Sequence, residues 1–149
     1  MSFLRQVNFI SLEENSVLGI EEEIGRAFFD AVSAGDLDRA FEYTTQDVTF
    51  TPIGSHPVIG KEFMGKEDIL QNCWMYVFEH LTEAGVPTAI KGSAFGKGIG
   101  FIEFSGSGEG RSGMPYNNVY CHIYRYEGEK ICAITEYLDT ELVNKLLSQ

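Results

Sequence analysis

Five side chains near the C-terminus carry the chemistry this sequence can offer. In PYNNVYCHIYRYEGEKICAITEYLDT, residues 115–140, alternate positions hold Asn118, Tyr120, His122 and Tyr124, and Glu136 follows beyond a glycine turn. Alternation with period two puts the first four on one face of a strand. An imidazole and a carboxylate brought together can move a proton between two atoms of a bound molecule near neutral pH, with no metal or cofactor. Amide and phenol groups beside them can orient a carbonyl or hydroxyl by hydrogen bonds. Desolvation by aromatic walls pushes a carboxyl toward its neutral form, and a protonated imidazole pushes the other way.

Whether Glu136 joins that face depends on the turn, because strand register has parity. A three-residue loop, Tyr126-Glu127-Gly128, pairs Arg125 with Glu129 and sets Glu136 across from Asn118. His122, Cys132, Ile134 and Glu136 then share a face. A two-residue turn at Glu127-Gly128 puts Val119, Cys121 and Ile123 beside Glu136 instead. Glycine at the third loop position favours the first arrangement.

The rest of the chain must position these groups. EEEIGRAFFDAVSAGD spaces Ile24, Ala27, Phe28, Ala31 and Val32 as a helix that Gly35 ends, and Asp36 caps a second short helix, LDRAFEYT. DVTFTPI reads as a strand over 47–53. A long helix is predicted from Lys66, with Glu67 and Asp68 in its first turn. Its apolar stripe runs through Ile69, Leu70, Cys73, Trp74, Val77, Phe78 and Leu81 until Gly85 and Pro87 stop it. Four strands follow, TAIKGSAF, GIGFIEFSG, NNVYCHIYRY and KICAITEYL, then a short helix, ELVNKLLS. Eight of the sixteen glycines fall between Gly92 and Gly113, a density suited to a sheet that bends sharply. GEGRSG (108–113) matches GxGxxG, but it lies between strands, so it is not read as a dinucleotide site. Ser11 and Glu14 fit a capping box; residues 1–18 are read as an N-terminal extension and 19–149 as one domain.

Helices ahead of an antiparallel sheet predict an α+β domain, a curved sheet wrapped around helices. The strands from 100 to 138 are apolar on both faces, which predicts a homodimer through the face that the helices leave open. Tyr137 and Asp139 fall on that outer face.

Composition narrows the function. At 44% hydrophobic and 22% charged, the 149 residues are those of a globular domain. A net charge of −11 gives no cationic footprint for nucleic acid or anionic membranes. The three cysteines (Cys73, Cys121, Cys132) form no CxxC pair and lie in apolar segments, so buried, reduced thiols and a cytoplasmic location are expected. His56, His80 and His122 have no metal-ligand spacing, and no metal is expected. His56, in a Pro/Gly loop, is read as a surface histidine. Aromatic residues make up 13%, and Phe28, Phe50, Trp74, Val77 and Phe78 are the candidate apolar walls of a pocket.

The order helix–AGDLDRAFEY–DVTF–GKEDIL–strands–PYNNVY–EGEKICAITEYLDT resembles the nuclear transport factor 2-like superfamily, in its SnoaL-like branch, over about residues 20–147. The resemblance implies a cone: a curved sheet folded around helices, one deep pocket, and a dimer. It also implies a choice of activities that residue-by-residue transfer narrows. Ketosteroid isomerase's oxyanion tyrosine, base aspartate and second oxyanion acid fall at Phe28, Thr51 and His122, and scytalone dehydratase's tyrosine–aspartate pair falls at Val32 and Ser33. Limonene epoxide hydrolase's aspartate matches Glu136, without a counterpart of its Arg-x-Asp strand. The phenazine A/B proteins have a histidine and a glutamate that line up with His122 and Glu136, which puts both on the pocket face.

Two readings stand. In the first, His122 and Glu136 are the acid–base pair of a cofactor-independent isomerase, cyclase or dehydratase. Its substrate is a small, largely apolar carbonyl compound, bound by Asn118, Tyr120, Tyr124, Phe28, Phe50, Trp74, Val77 and Phe78. In the second, the chain is a non-catalytic small-molecule-binding or dimerisation module, and His122 is bonded to Glu136 only for structure.

Overall fold

The computed structural model describes residues 19–149; the extension and the Ser11–Glu14 capping box lie outside them. Helix α1 (Ile20–Ser33) starts on three glutamates, Glu21, Glu22 and Glu23, where the helix dipole favours negative charge. Gly35, at φ 75°, ends it. Asp36 then caps α2 (Leu37–Glu42), accepting from the Arg39 amide at 3.2 Å. Strand β1 (Thr44–Pro52) leads through a loop to β2 (Phe63–Met64).

The predicted long helix is helical from Gly65 to Phe78 but not uniform. It runs as α3 (Gly65–Asp68), a π-helical segment (Ile69–Trp74) and α4 (Met75–Phe78), and it stops a turn earlier than the apolar stripe implies. Wider i→i+5 closure reorients the turn beyond it. Trp74 is buried against Phe50, with ring centroids 5.5 Å apart, and Phe78 is partly open. Strands β3 (Thr88–Gly96) and β4 (Ile99–Gly106) form a hairpin. A smaller one comes next, β5 (Gly108–Glu109) with β6 (Pro115–Tyr116). GEGRSG is therefore a strand and its turn. Strands β7 (Val119–Glu127) and β8 (Lys130–Leu138) lead into α5 (Thr140–Leu147), capped by Asp139.

The architecture is α+β, with a curved six-stranded sheet in the order β2-β1-β8-β7-β4-β3. Its pairings are antiparallel except β1 with β8, which run parallel. Hydrophobic side chains from α1, β1 and the helix after β2 fill the concave side, with Phe28, Phe50, Ile69, Ile102 and Ile134 at 2% exposure or less. The convex side stays open, with Ile99, Phe101, Val119 and Tyr137 exposed. The clustered glycines serve close approach. Phe95 lies against both Gly25 and Gly100, and a methyl group on either would meet its ring at 2.5 or 2.2 Å.

The β7–β8 turn corrects both sequence alternatives. Glu127 pairs with Lys130 across Gly128-Glu129, a two-residue turn with Gly128 at φ 59° in its first position. That turn alone would put Glu136 on the wrong face. A bulge restores the parity: Tyr126 pairs with Ile131 and Arg125 with Ala133, so Cys132 has no partner across the ladder. Glu136 consequently sits opposite His122, not Asn118. The bulge also brings Cys132 outward, where its thiol donates to the Arg125 carbonyl at 3.4 Å. Of the three cysteines only Cys73 is buried; Cys121 and Cys132 are partly exposed.

Candidate active site

Beneath the curve of the sheet lies a cavity of about 770 Å³, bounded by α1, β1, the helix after β2, β4, β6, β7 and β8. Its walls include Phe28, Phe50, Trp74, Val77 and Phe78, all five of the expected apolar residues. Each arrives by an ordinary pattern. Phe28 comes from the inward stripe of α1, Phe50 from the alternation of β1, and the other three from the interrupted helix. His122, Glu136 and Tyr120 also line it.

His122 and Glu136 form the polar centre. Their cross-strand pairing brings Nε2 of His122 to 2.7 Å from Oε2 of Glu136, with side-chain exposures of 8% and 17%. The imidazole is wedged by aromatic edges: Phe50, Phe104 and Tyr124 stand nearly perpendicular to it at centroid distances of 6.0, 4.9 and 5.9 Å. On its far side, Nδ1 lies 3.3 Å from the Tyr124 hydroxyl.

Tyr124 is wholly buried, and burial pushes its phenol well above the ordinary range, so it stays a neutral donor. An ionised carboxylate can only accept, so Nε2 of His122 carries the proton directed at Glu136, and in the neutral ring of that tautomer Nδ1 accepts from the Tyr124 hydroxyl. The second oxygen of Glu136, Oε1, has no hydrogen-bond partner among the described residues.

Tyr124 and Asn118 are two corrections to the expected lining, because neither borders the cavity. Tyr124 stands behind His122, its ring 5.7 Å from Phe28. Asn118, 1% exposed, splices backbone instead. Its Oδ1 accepts from the amides of Val119 and Asp139 at 2.7 and 3.0 Å. Its Nδ2 donates to the Asp139 carbonyl at 3.2 Å and to the Tyr116 hydroxyl at 3.1 Å. His56 is partly buried outside the lining, with Nδ1 accepting from the Val58 and Ile59 amides.

Sequence reasoning missed Tyr116. It lines the cavity from β6, 2% exposed, and its hydroxyl accepts from that of Tyr120 at 3.2 Å. Burial raises both phenols, so both are neutral at pH 7. The alternation Tyr116, Asn118, Tyr120 was the available signal; the strand read as NNVYCHIYRY begins one residue after Tyr116, which belongs to the separate β5–β6 hairpin. That hairpin is latched to the end of the helix by Leu81–Gly110 bridging and by the Arg111 amide on the His80 carbonyl. It also brings Arg111 to the rim.

A curved sheet over helices, with an aromatic cavity and a polar pair inside, defines a cone-type α+β fold. The chain belongs to the SnoaL-like domain family, whose pattern matches residues 25–134. No curated protein matches it in sequence. Among solved structures it is similar to an NTF2-like protein from Burkholderia pseudomallei, at 16% identity and TM-score 0.78, over 89% of this chain and 100% of that one. TerC co-crystallised with polyporic acid is similar at 14% identity and TM-score 0.75, over 88% and 100%. A protein with a ketosteroid isomerase-like fold from Catenulispora acidiphila, in complex with trimethylamine, gives 20% and 0.65, over 85% and 92%. At these identities the likeness is one of fold. No helix among the described residues is long and apolar enough to cross a membrane.

Proposed function

We propose that the protein is a cofactor-independent proton-transfer enzyme, of isomerase, cyclase or dehydratase type, acting on a small, largely apolar carbonyl compound. One observation carries this reading: a hydrogen-bonded His–Glu pair, 2.7 Å apart, borders a 770 Å³ cavity whose other walls are mostly aromatic and aliphatic. Oε1 of Glu136 takes a proton from carbon beside the carbonyl. The Nε2–H of His122 supports the carboxylate and holds its orientation. Tyr124 holds the ring from behind. The protonated Glu136 then returns the proton to a second atom of the same molecule, so no external acid is consumed. Trp74, Phe28, Phe50, Val77 and Phe78 exclude water and grip the apolar body.

The polyporic acid and trimethylamine complexes of the two neighbours support small-molecule binding as the work of this fold. In the same reading residues 19–149 act as one domain. The open face with Ile99, Phe101, Val119 and Tyr137 pairs with a second copy. With all three cysteines free, the setting is the cytoplasm.

The test is carbon-proton exchange. A panel of aryl ketones and 1,3-dicarbonyl compounds is incubated in D₂O, and deuterium uptake is followed by mass spectrometry. The wild-type protein is expected to accelerate exchange of at least one compound, and Glu136→Gln to lower that rate by roughly 10²–10⁴-fold. Wild-type rates from both Glu136→Gln and His122→Ala would refute the assignment. Binding without exchange would establish a binding module instead.

A further inference from the structure

Counting protons along the cavity wall singles out one hydroxyl. Asn118 has no freedom: both backbone amides that meet its Oδ1 can only donate, so its Nδ2 must face, and donate to, the Asp139 carbonyl and the Tyr116 hydroxyl. Tyr120 donates its own hydroxyl proton to Tyr116 as well. Tyr116 therefore accepts two hydrogen bonds, and no acceptor among the described residues receives its own proton. A buried phenol that accepts twice is a strengthened donor, because each accepted bond polarises its O–H. Tyr116 also borders the cavity that His122 and Glu136 share.

We infer that Tyr116 is the hook for the substrate's carbonyl oxygen, a donor that Asn118 and Tyr120 pre-orient and that gains strength as the oxygen becomes enolate-like. This deepens the proton-transfer reading and rests on it. It also narrows the substrate class to compounds in which one apolar body carries both the carbonyl oxygen, held at Tyr116, and an acidic C–H, offered to Glu136. Asn118 acts at one remove as a positioning residue. Tyr120 lines the cavity and completes the pair.

The hook can be tested without knowing the reaction. The probes are 2-acetylnaphthalene, which can only accept, and 2-isopropylnaphthalene, a hydrocarbon of similar size. Wild-type protein is expected to bind the ketone about tenfold more tightly than the hydrocarbon, one net hydrogen bond of about 1.4 kcal/mol, and to move the bound C=O stretch to lower wavenumber. Tyr116→Phe should abolish both the preference and the shift while leaving hydrocarbon affinity within twofold. Tyr120→Phe should weaken the preference only in part, because the Tyr116 proton remains. Equal affinity of wild-type protein for the two probes, or a preference that survives Tyr116→Phe, overturns the hook and leaves the His–Glu reading standing. So does loss of ketone and hydrocarbon binding alike in Tyr116→Phe, which would make the residue structural. Binding of neither probe by the wild-type protein overturns the cavity reading beneath both.

Discussion

Replacing Asn118 by alanine tests the splice that joins the start of β7 to the end of β8. The substitution deletes four hydrogen bonds, two to Oδ1 at 2.7 and 3.0 Å and two from Nδ2 at 3.1 and 3.2 Å. At a net contribution of about 1 kcal/mol each, the ceiling is about 4 kcal/mol. Water can replace part of this. Val119 and Asp139 are exposed, so their backbone groups are re-solvated, whereas the hydroxyl of Tyr116, on a residue 2% exposed, is not. The expected loss is therefore about 2–3 kcal/mol. Freed at Asp139, the cap of α5 should loosen too. Urea unfolding followed by the fluorescence of Trp74, the single tryptophan, reads this directly. With m between about 1 and 3 kcal/mol/M, the midpoint should fall by roughly 0.7–3 M with m unchanged. The neighbouring, exposed Asn117 supplies the control, since Asn117→Ala should stay within about 0.5 kcal/mol of wild type. An Asn118→Ala protein as stable as that control would refute the splice, and with it the forced amide orientation on which the Tyr116 assignment depends.

Gly25→Ala should destabilise although alanine is the better helix former by about 1 kcal/mol. Its methyl would strike the Phe95 ring at 2.5 Å and the Tyr126 hydroxyl at 2.6 Å, so a net loss of about 1–2 kcal/mol is expected in urea; a stabilised Gly25→Ala protein would show that these side chains have room to move. High pH should weaken the fold. Burial pushes the Cys73 thiol up to about 12, and the phenols of Tyr116, Tyr120, Tyr124 and Tyr126 upward as well. These raised groups favour their neutral forms in the folded state. Their contribution is complete below the unfolded values, about 8.5 for cysteine and 10 for tyrosine, and is lost as pH climbs toward the folded ones, at up to about 1.4 kcal/mol per unit for each group. Urea midpoints should hold from pH 7 to 8.5 and then fall, less steeply in Cys73→Ala between pH 9 and 10; identical slopes there would contradict a buried thiol.

Much of this architecture was legible because it rests on local chemistry. The glutamate run opens α1, Gly35 closes it and Asp36 caps α2, each through contacts within a few residues. The alternation of β7 likewise revealed that Tyr120 and His122 share a face. What escaped the sequence depends on partners far along the chain. Asn118 has the same spacing as a pocket residue, but its partners include Asp139, 21 residues away, and that contact turns it from ligand binding to splicing. Tyr124 follows the same alternation yet lies deeper in the curve, where α1 covers it with Phe28. The π-helical segment has no signature among good helix formers, and the rings its Trp74 packs against, Phe41 and Phe50, lie 24 or more residues earlier. The parallel β1–β8 pairing joins strands separated by most of the chain.

The unpaired Cys132 in β8 has a consequence for how this protein can change length. Turn and bulge together contribute three unpaired residues, an odd count, so losing or gaining one residue in either alone would flip Glu136 to the convex side and strip the cavity of its carboxylate. Descendants of this chain can alter the hairpin only by paired insertions or deletions, one in the turn and one at the bulge, or by two in the same place. A designer who trims one residue from the loop without touching Cys132 would obtain a sheet of the same outline with Glu136 facing the wrong way.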